Sequence, residues 1–161
     1  MSIHIVFGSK MGGTKGLADM IAAELTQRGH QVTLADAAHA TFDQRTQAVV
    51  VAGALYSGHW HGDAIRFVKR NAKALRELPV WLVASGPLDD SADNGAVPPT
   101  ADVAKLAAEI GARGTETFGG VLDEHAQGFI AKAMLKNGKG GDYRSPEHVA
   151  TWVVELDRTL A

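Results

Sequence analysis

Cysteine is absent from the chain, which removes disulfides, thiolate metal sites and thiol catalysis together and fits a reducing compartment. Charge of one sign is also missing. Against 16 lysines and arginines stand 18 aspartates and glutamates, a formal net charge of -2. Such a balance offers no broad basic surface to nucleic acid and no strong field to steer a charged partner. No apolar run approaches the ~20 residues of a membrane-spanning helix; the longest lies at residues 48–55. Ahead of Ile3-His4-Ile5-Val6-Phe7 no positive stretch leads into a signal-type apolar core, so the expected location is the cytoplasm. Internal repeats, low-complexity tracts and breaks in composition are lacking as well, and the expectation is one domain over residues 1–161.

What remains is an ordinary globular composition. Of 161 residues, 45% are hydrophobic and 21% charged, enough to bury a full sheet core. Strand-length apolar runs stand at 3–7, 31–35, 48–53, 79–85 and 115–122. The first, third and fourth are apolar almost throughout, as strands covered on both faces are. Between them the apolar spacing is helical. Leu17, Met20, Ile21 and Leu25 share a face that stops at Gly29. Ile65, Val68, Ala72 and Leu75 share a second, and Val103, Leu106, Ala107 and Ile110 a third, beginning near Thr100 and ending at Gly111. The last helix takes Ser145 as N-cap and Pro146 in its first position, with Val149, Trp152, Val153, Leu156 and Leu160 as its apolar face.

Strands alternating with helices predict βαβ units, an α/β fold and a mostly parallel sheet with right-handed crossovers. Between residues 35 and 48 there is room for one helical turn or none. Segment 123–145 exceeds the minimal plan. Ala126, Phe129, Ile130, Ala133 and Met134 are helically spaced, Asn137-Gly138 would end that helix, and 138–141 reads as a connector. This extra helical insertion before the last helix begins at the carboxyl end of a strand, where open α/β sheets bind their ligands.

The first strand is followed by Gly8-Ser9-Lys10-Met11-Gly12-Gly13-Thr14-Lys15-Gly16 and then a helix. Glycines let the backbone wrap a phosphate, and the amides opening a helix are unpaired donors. A glycine-rich turn that binds nothing is the plain alternative. Gly-x-Gly-x-x-Gly, the dinucleotide fingerprint, occurs in no register of this loop. A triphosphatase loop needs Gly-Lys-Ser/Thr; Gly13-Thr14-Lys15 has the hydroxyl and the lysine in swapped order. Ser9-Lys10-Met11-Gly12-Gly13-Thr14 instead resembles the flavodoxin phosphate loop, Ser/Thr-x-Thr-Gly-x-Thr/Ser. That resemblance implies flavin mononucleotide (FMN), its phosphate held by Ser9, Gly12, Gly13 and Thr14. Met11 lacks the family's hydroxyl, so its part is backbone only. Lys10 either offsets phosphate charge or is a solvated surface lysine.

The same resemblance implies a three-layer, doubly wound, five-stranded parallel sheet in the order 2-1-3-4-5, that family's own order, with FMN beside the third and fourth strands. Two further loops follow those strands: Gly53-Ala54-Leu55-Tyr56-Ser57-Gly58-His59-Trp60-His61-Gly62-Asp63 and Ser85-Gly86-Pro87-Leu88-Asp89-Asp90. Both loops are expected to border the ring, through Ala54, Leu55 and Tyr56 and through Ser85, Gly86, Pro87, Leu88 and Asp89. Leu55 and Tyr56 are placed to contact one ring face. The second loop lacks an aromatic to stack on the other, which suggests an open flavin. Ser57 and Gly58 offer backbone groups to ring nitrogen N5. In flavodoxins the corresponding turn changes its peptide orientation on reduction, which Gly58 would tolerate. The flavin carries the chemistry, so no catalytic side chain is expected. His59, His61 and Asp63 have the types of a metal site, but a polar, aromatic rim of the flavin mouth is preferred and no metal is expected.

Gly53-Ala54, Tyr56, Gly58-His59, an aromatic and His61 resemble the third-strand loop of flavodoxin-type, menaquinone-dependent protoporphyrinogen oxidases. Residues 129–134 and Gly140-Gly141-Asp142 look like that group's insertion, while Pro79-Val80-Trp81-Leu82 and Ser85-Gly86-Pro87-Leu88 look more like the broader bacterial flavodoxin-domain proteins. The implied function is an FMN oxidoreductase or electron-transfer protein, with enzyme and carrier both open. Its partner would be a redox protein, or a quinone or other small substrate. The insertion is only mildly basic, so any membrane contact is peripheral and weak. A signalling receiver would need an aspartate ending the third strand, where Ala52-Gly53 stands, and is rejected. The alternative is a flavodoxin-fold interaction module that has lost FMN.

Overall fold

The computed structural model describes residues 1–8, 13–41, 43–86, 97–122, 141–142 and 144–160, with backbone alone at 121, 122, 141 and 142. The elements follow the alternation expected. They are β1 (Ser2–Gly8), α1 (Gly13–Gln27), β2 (Gln31–Asp36), β3 (Ala48–Tyr56), β4 (His59–Trp60), α2 (Gly62–Arg70) and α3 (Ala72–Leu75). There follow β5 (Val80–Ser85), α4 (Ala101–Ile110), β6 (Gly114–Phe118), β7 (Val121–Leu122), β8 (Gly141–Asp142) and α5 (Pro146–Leu160). The main sheet runs β2-β1-β3-β5-β6, all parallel. Counting parallel strands alone, this is the order 2-1-3-4-5.

Each strand divides its side chains between two cores, because successive residues face opposite sides of the sheet. Val50 and Ala52 of β3 join Ile3, Ile5, Val83 and the buried faces of α1 and α5. Val49 and Val51 join Val6, Leu82 and the faces of α2, α3 and α4. Burial on both faces explains why β1, β3 and β5 lack alternation, while the edge strand β2 is half exposed. At the edge remote from the β1–β3 carboxyl ends, Arg28 and His30 beyond α1 reach Asp157 of α5 at 3.1 and 2.6 Å.

Four local features depart from the sequence expectation. The fifth parallel strand stops at Phe118 rather than running to Leu122. A Cβ on Gly120 would lie 2.9 Å from the Gly86 carbonyl oxygen, so the chain passes close to the backbone just beyond β5 as it leaves the sheet. Val121 and Leu122 then pair antiparallel with Asp142 and Gly141, forming a short two-stranded stem of their own. The helix expected around Ile65 to Leu75 is two helices, separated where Asn71 turns its side-chain amide onto the Phe67 carbonyl at 2.9 Å. The loop after β3 contains a short hairpin partner, β4. Between β2 and β3 no helix occurs among the described residues. The helix read over 126–134 lies outside the described residues.

Candidate functional site

The strand order turns back at β1, whose neighbours β2 and β3 continue the chain in opposite directions across the sheet. Beyond the carboxyl ends of β1 and β3 there is consequently a crevice, the place where open parallel sheets take ligands. Register brings the expected loops to that edge. Gly8 lies opposite Gly53, Ala54 opposite Ser85, and Ser85 opposite Phe118.

Gly13 and Thr14 open α1 beside this crevice. The amides of a helix's first turn have no partner within the helix and point at whatever lies before it. Thr14 is 1% exposed, and its Oγ1 has no hydrogen-bond partner among the described residues. A buried hydroxyl without a partner is costly, so this position fits a ligand oxygen. Ser9, Lys10, Met11 and Gly12 lie outside the described residues.

The second loop is a tight hairpin. Tyr56 pairs with His59 and Leu55 with Trp60 across the two-residue turn Ser57-Gly58. Both turn residues have positive φ, 50° and 78°, the pattern of a type I′ turn. Ser57 adopts it against the usual penalty for a side chain, whereas Gly58 adopts it freely. The hairpin is held from below by Trp60, which is 2% exposed and donates its indole N–H to the Val83 carbonyl at 3.1 Å. It is held from the side by Asp102 of α4, which accepts the Trp60 backbone N–H at 2.8 Å.

Alternation along the hairpin separates the two expected ring contacts. Leu55 leans over Gly86, where an added Cβ would lie 2.6 Å from its Cδ1. Tyr56 lies on the other side, with its ring 5.9 Å from that of His61. Ala54 and Ser85 are buried in the sheet edge. Pro87, Leu88 and Asp89 lie outside the described residues.

His61 has a definite role. It caps α2, its Nδ1 accepting the Asp63 N–H at 3.1 Å. An accepting Nδ1 carries no proton, so the ring is the neutral tautomer with its hydrogen on Nε2. The ring also lies over the end of β1, 3.0 Å from where a Gly8 Cβ would be. His59 by contrast is exposed, 4.0 Å from Asp102. The two imidazoles are thus held apart, one buried and one in solvent. A cleft of about 480 Å³ opens here, lined by Tyr56, His59, Trp60, His61, Asp63 and Arg66.

A further residue reaches this edge from the end of the mildly basic insertion, Arg144, which nothing in the sequence singles out. The β7–β8 stem returns the chain to the sheet edge, and Arg144 lies against the first turn of α1. Its Nη1 donates to the Gly13 carbonyl at 3.4 Å. No local signal in the sequence links positions so far apart.

A family model described as a flavodoxin domain matches residues 4–145. No curated protein matches the chain. Among solved structures, a short-chain flavodoxin associated with a bacterial microcompartment is similar at TM-score 0.64 and 12% identity, covering 100% of this chain and 99% of its own. A flavodoxin from Streptococcus pneumoniae is similar at 0.60 and 19% identity, covering 99% of each chain. A Fusobacterium nucleatum flavodoxin variant bound to flavin mononucleotide is similar at 0.56 and 15% identity, covering 98% and 96%.

Proposed function

The chain belongs to the flavodoxin-domain family, and from that premise we propose that it binds FMN at the carboxyl edge of its sheet and transfers electrons. The observation that carries this reading is the buried, unpartnered Thr14 hydroxyl in the opening turn of α1, beside the crevice between β1 and β3. A phosphate monoester supplies the acceptor oxygens that this hydroxyl and the neighbouring helix amides lack. A second support is the solved flavodoxin of the same fold with FMN bound.

FMN, when bound, supplies one- and two-electron redox chemistry. The protein's own part is to place and to shield. In this reading the opening turn of α1 holds the phosphate, joined by Ser9, Lys10, Met11 and Gly12. Tyr56 and Leu55 border the ring, together with Ser85, Gly86, Pro87, Leu88 and Asp89. Ser57 and Gly58 present backbone groups at the hairpin tip, pinned by Trp60 and Asp102. The balanced charge favours a partner met without strong electrostatic steering. The finer reading, a quinone-linked oxidase of protoporphyrinogen, rests on the resemblance of the Gly53-to-His61 stretch and of residues 129–134 and Gly140-Gly141-Asp142.

The test is a visible absorption spectrum after incubation with FMN and dialysis, with a fluorescence titration for affinity. Retained flavin absorbance and a micromolar or tighter Kd are expected. A colourless protein that leaves FMN fluorescence unquenched would falsify the reading and leave an interaction module. For the finer reading, protoporphyrinogen should bleach the bound flavin and a quinone should restore its colour.

A further inference from the structure

Arg144 brings a cation to the positive pole of a helix. Aligned peptide dipoles leave partial positive charge at the start of α1, and α1 has no acidic residue in its first turn. Lys15, in that same turn, adds a further positive charge and is directed down the helix to Asp19 at 3.1 Å. The guanidinium and the helix pole share one sign, whereas the Lys15 ammonium is matched by the Asp19 carboxylate.

Two independent features show that the place is built. Gly16 has no side chain, and a Cβ there would overlap the Arg144 guanidinium, so the helix surface is cut away where the guanidinium lies. Thr14, in the same turn, presents the buried hydroxyl without a partner. Arg144 is also held from behind. It directly precedes Ser145, whose Oγ accepts the His148 N–H at 3.2 Å to cap α5, and α5 packs on α1 through one shared core.

We propose that Arg144 is the counter-charge for the phosphate monoester of the flavin, an inference that rests on the FMN reading above. A phosphate matches the donors present: a fork of guanidinium N–H groups, helix amides and a hydroxyl, against terminal oxygens carrying nearly two negative charges. The insertion therefore ends on the ligand, and its antiparallel stem delivers the cation to a loop that begins more than a hundred residues earlier in the chain.

The test is titration of the full chain with FMN and with riboflavin, which lacks the phosphate, at low ionic strength where charge is least screened. Arg144→Gln should weaken FMN binding at least ~tenfold and change riboflavin binding by less than about twofold. Arg144→Lys, which keeps the charge without the fork, should fall between. Gly16→Ala fills the guanidinium's place and should show the same selective loss of FMN. Alanine favours the helix, so the melting temperature of the flavin-free protein should hold. Equal weakening of both ligands by Arg144→Gln, or an unchanged FMN affinity, overturns the assignment. A native chain that binds riboflavin as tightly as FMN overturns it too. A native chain that takes up neither flavin removes the FMN reading itself, and the assignment with it.

Discussion

A single carboxylate on α4 decides how firmly the β3–β4 hairpin is held. Partial burial raises the Asp102 carboxyl, but hydrogen bonds from Thr100, Trp60 and Val103, with the charge of His59, outweigh it and hold the group below its ordinary range. One oxygen accepts the Thr100 hydroxyl and the Val103 N–H while the other accepts the Trp60 N–H. Asparagine can serve only one of these sets, since its amide nitrogen would face donors on the other. Asp102→Asn should therefore destabilise the protein by about 1 kcal/mol at pH 7 in urea titration. Because the folded carboxyl is more acidic than the unfolded one at ~3.9, its stabilisation is present above that value and lost as pH falls through the folded pKa. The gap between Asp102→Asn and the native chain should accordingly close in acid. Asp102 gave no sign of this role in the sequence, because its partner Trp60 is set by the crossing of α4 over the hairpin. Thr14 was legible, since a hydroxyl in the first turn after a glycine-rich loop has a local meaning.

At the scale of the element, the hairpin tip is under tension of its own making. Ser57 holds a φ of 50° and Gly58 one of 78°, with nothing within 4 Å of where a Gly58 Cβ would be. Substitution there acts through the backbone alone. Gly58→Ala should cost about 1–2 kcal/mol. Ser57→Asn, a residue that accepts positive φ, should raise the melting temperature. Thermal unfolding of the pair against the native chain checks both, and shifts of the same sign would refute the turn assignment. Element ends with chemical markers were readable beforehand. Ser145-Pro146 opened α5 as expected, and α4 began after Thr100. Elements without such markers were not readable. β4 is two residues long, and α2 breaks from α3 at Asn71, whose backbone and side-chain N–H groups both donate to the Phe67 carbonyl.

The whole molecule rests on two cores separated by the sheet. Phe67 of α2 is fully buried among Val6, Val51 and Leu82 on one side. Phe67→Ala should cost about 3–5 kcal/mol, read as a lower urea midpoint at an unchanged slope. An altered slope would mean that the denatured state had changed as well. The layered α/β architecture followed from the amino-acid order, because apolar runs of strand length alternating with helically spaced faces have only one economical packing. The loop opening α1 was identifiable for the same local reason: neighbouring residues supply its glycines, hydroxyl and helix amides. Contacts between distant segments came only with the tertiary structure. The grip of Asp102 on the hairpin, the neutral His61 capping α2 over Gly8, and the return of Arg144 to the start of α1 each join positions that no periodicity connects. Periodicity records which face a residue buries, whereas the partner it meets there depends on how whole elements cross.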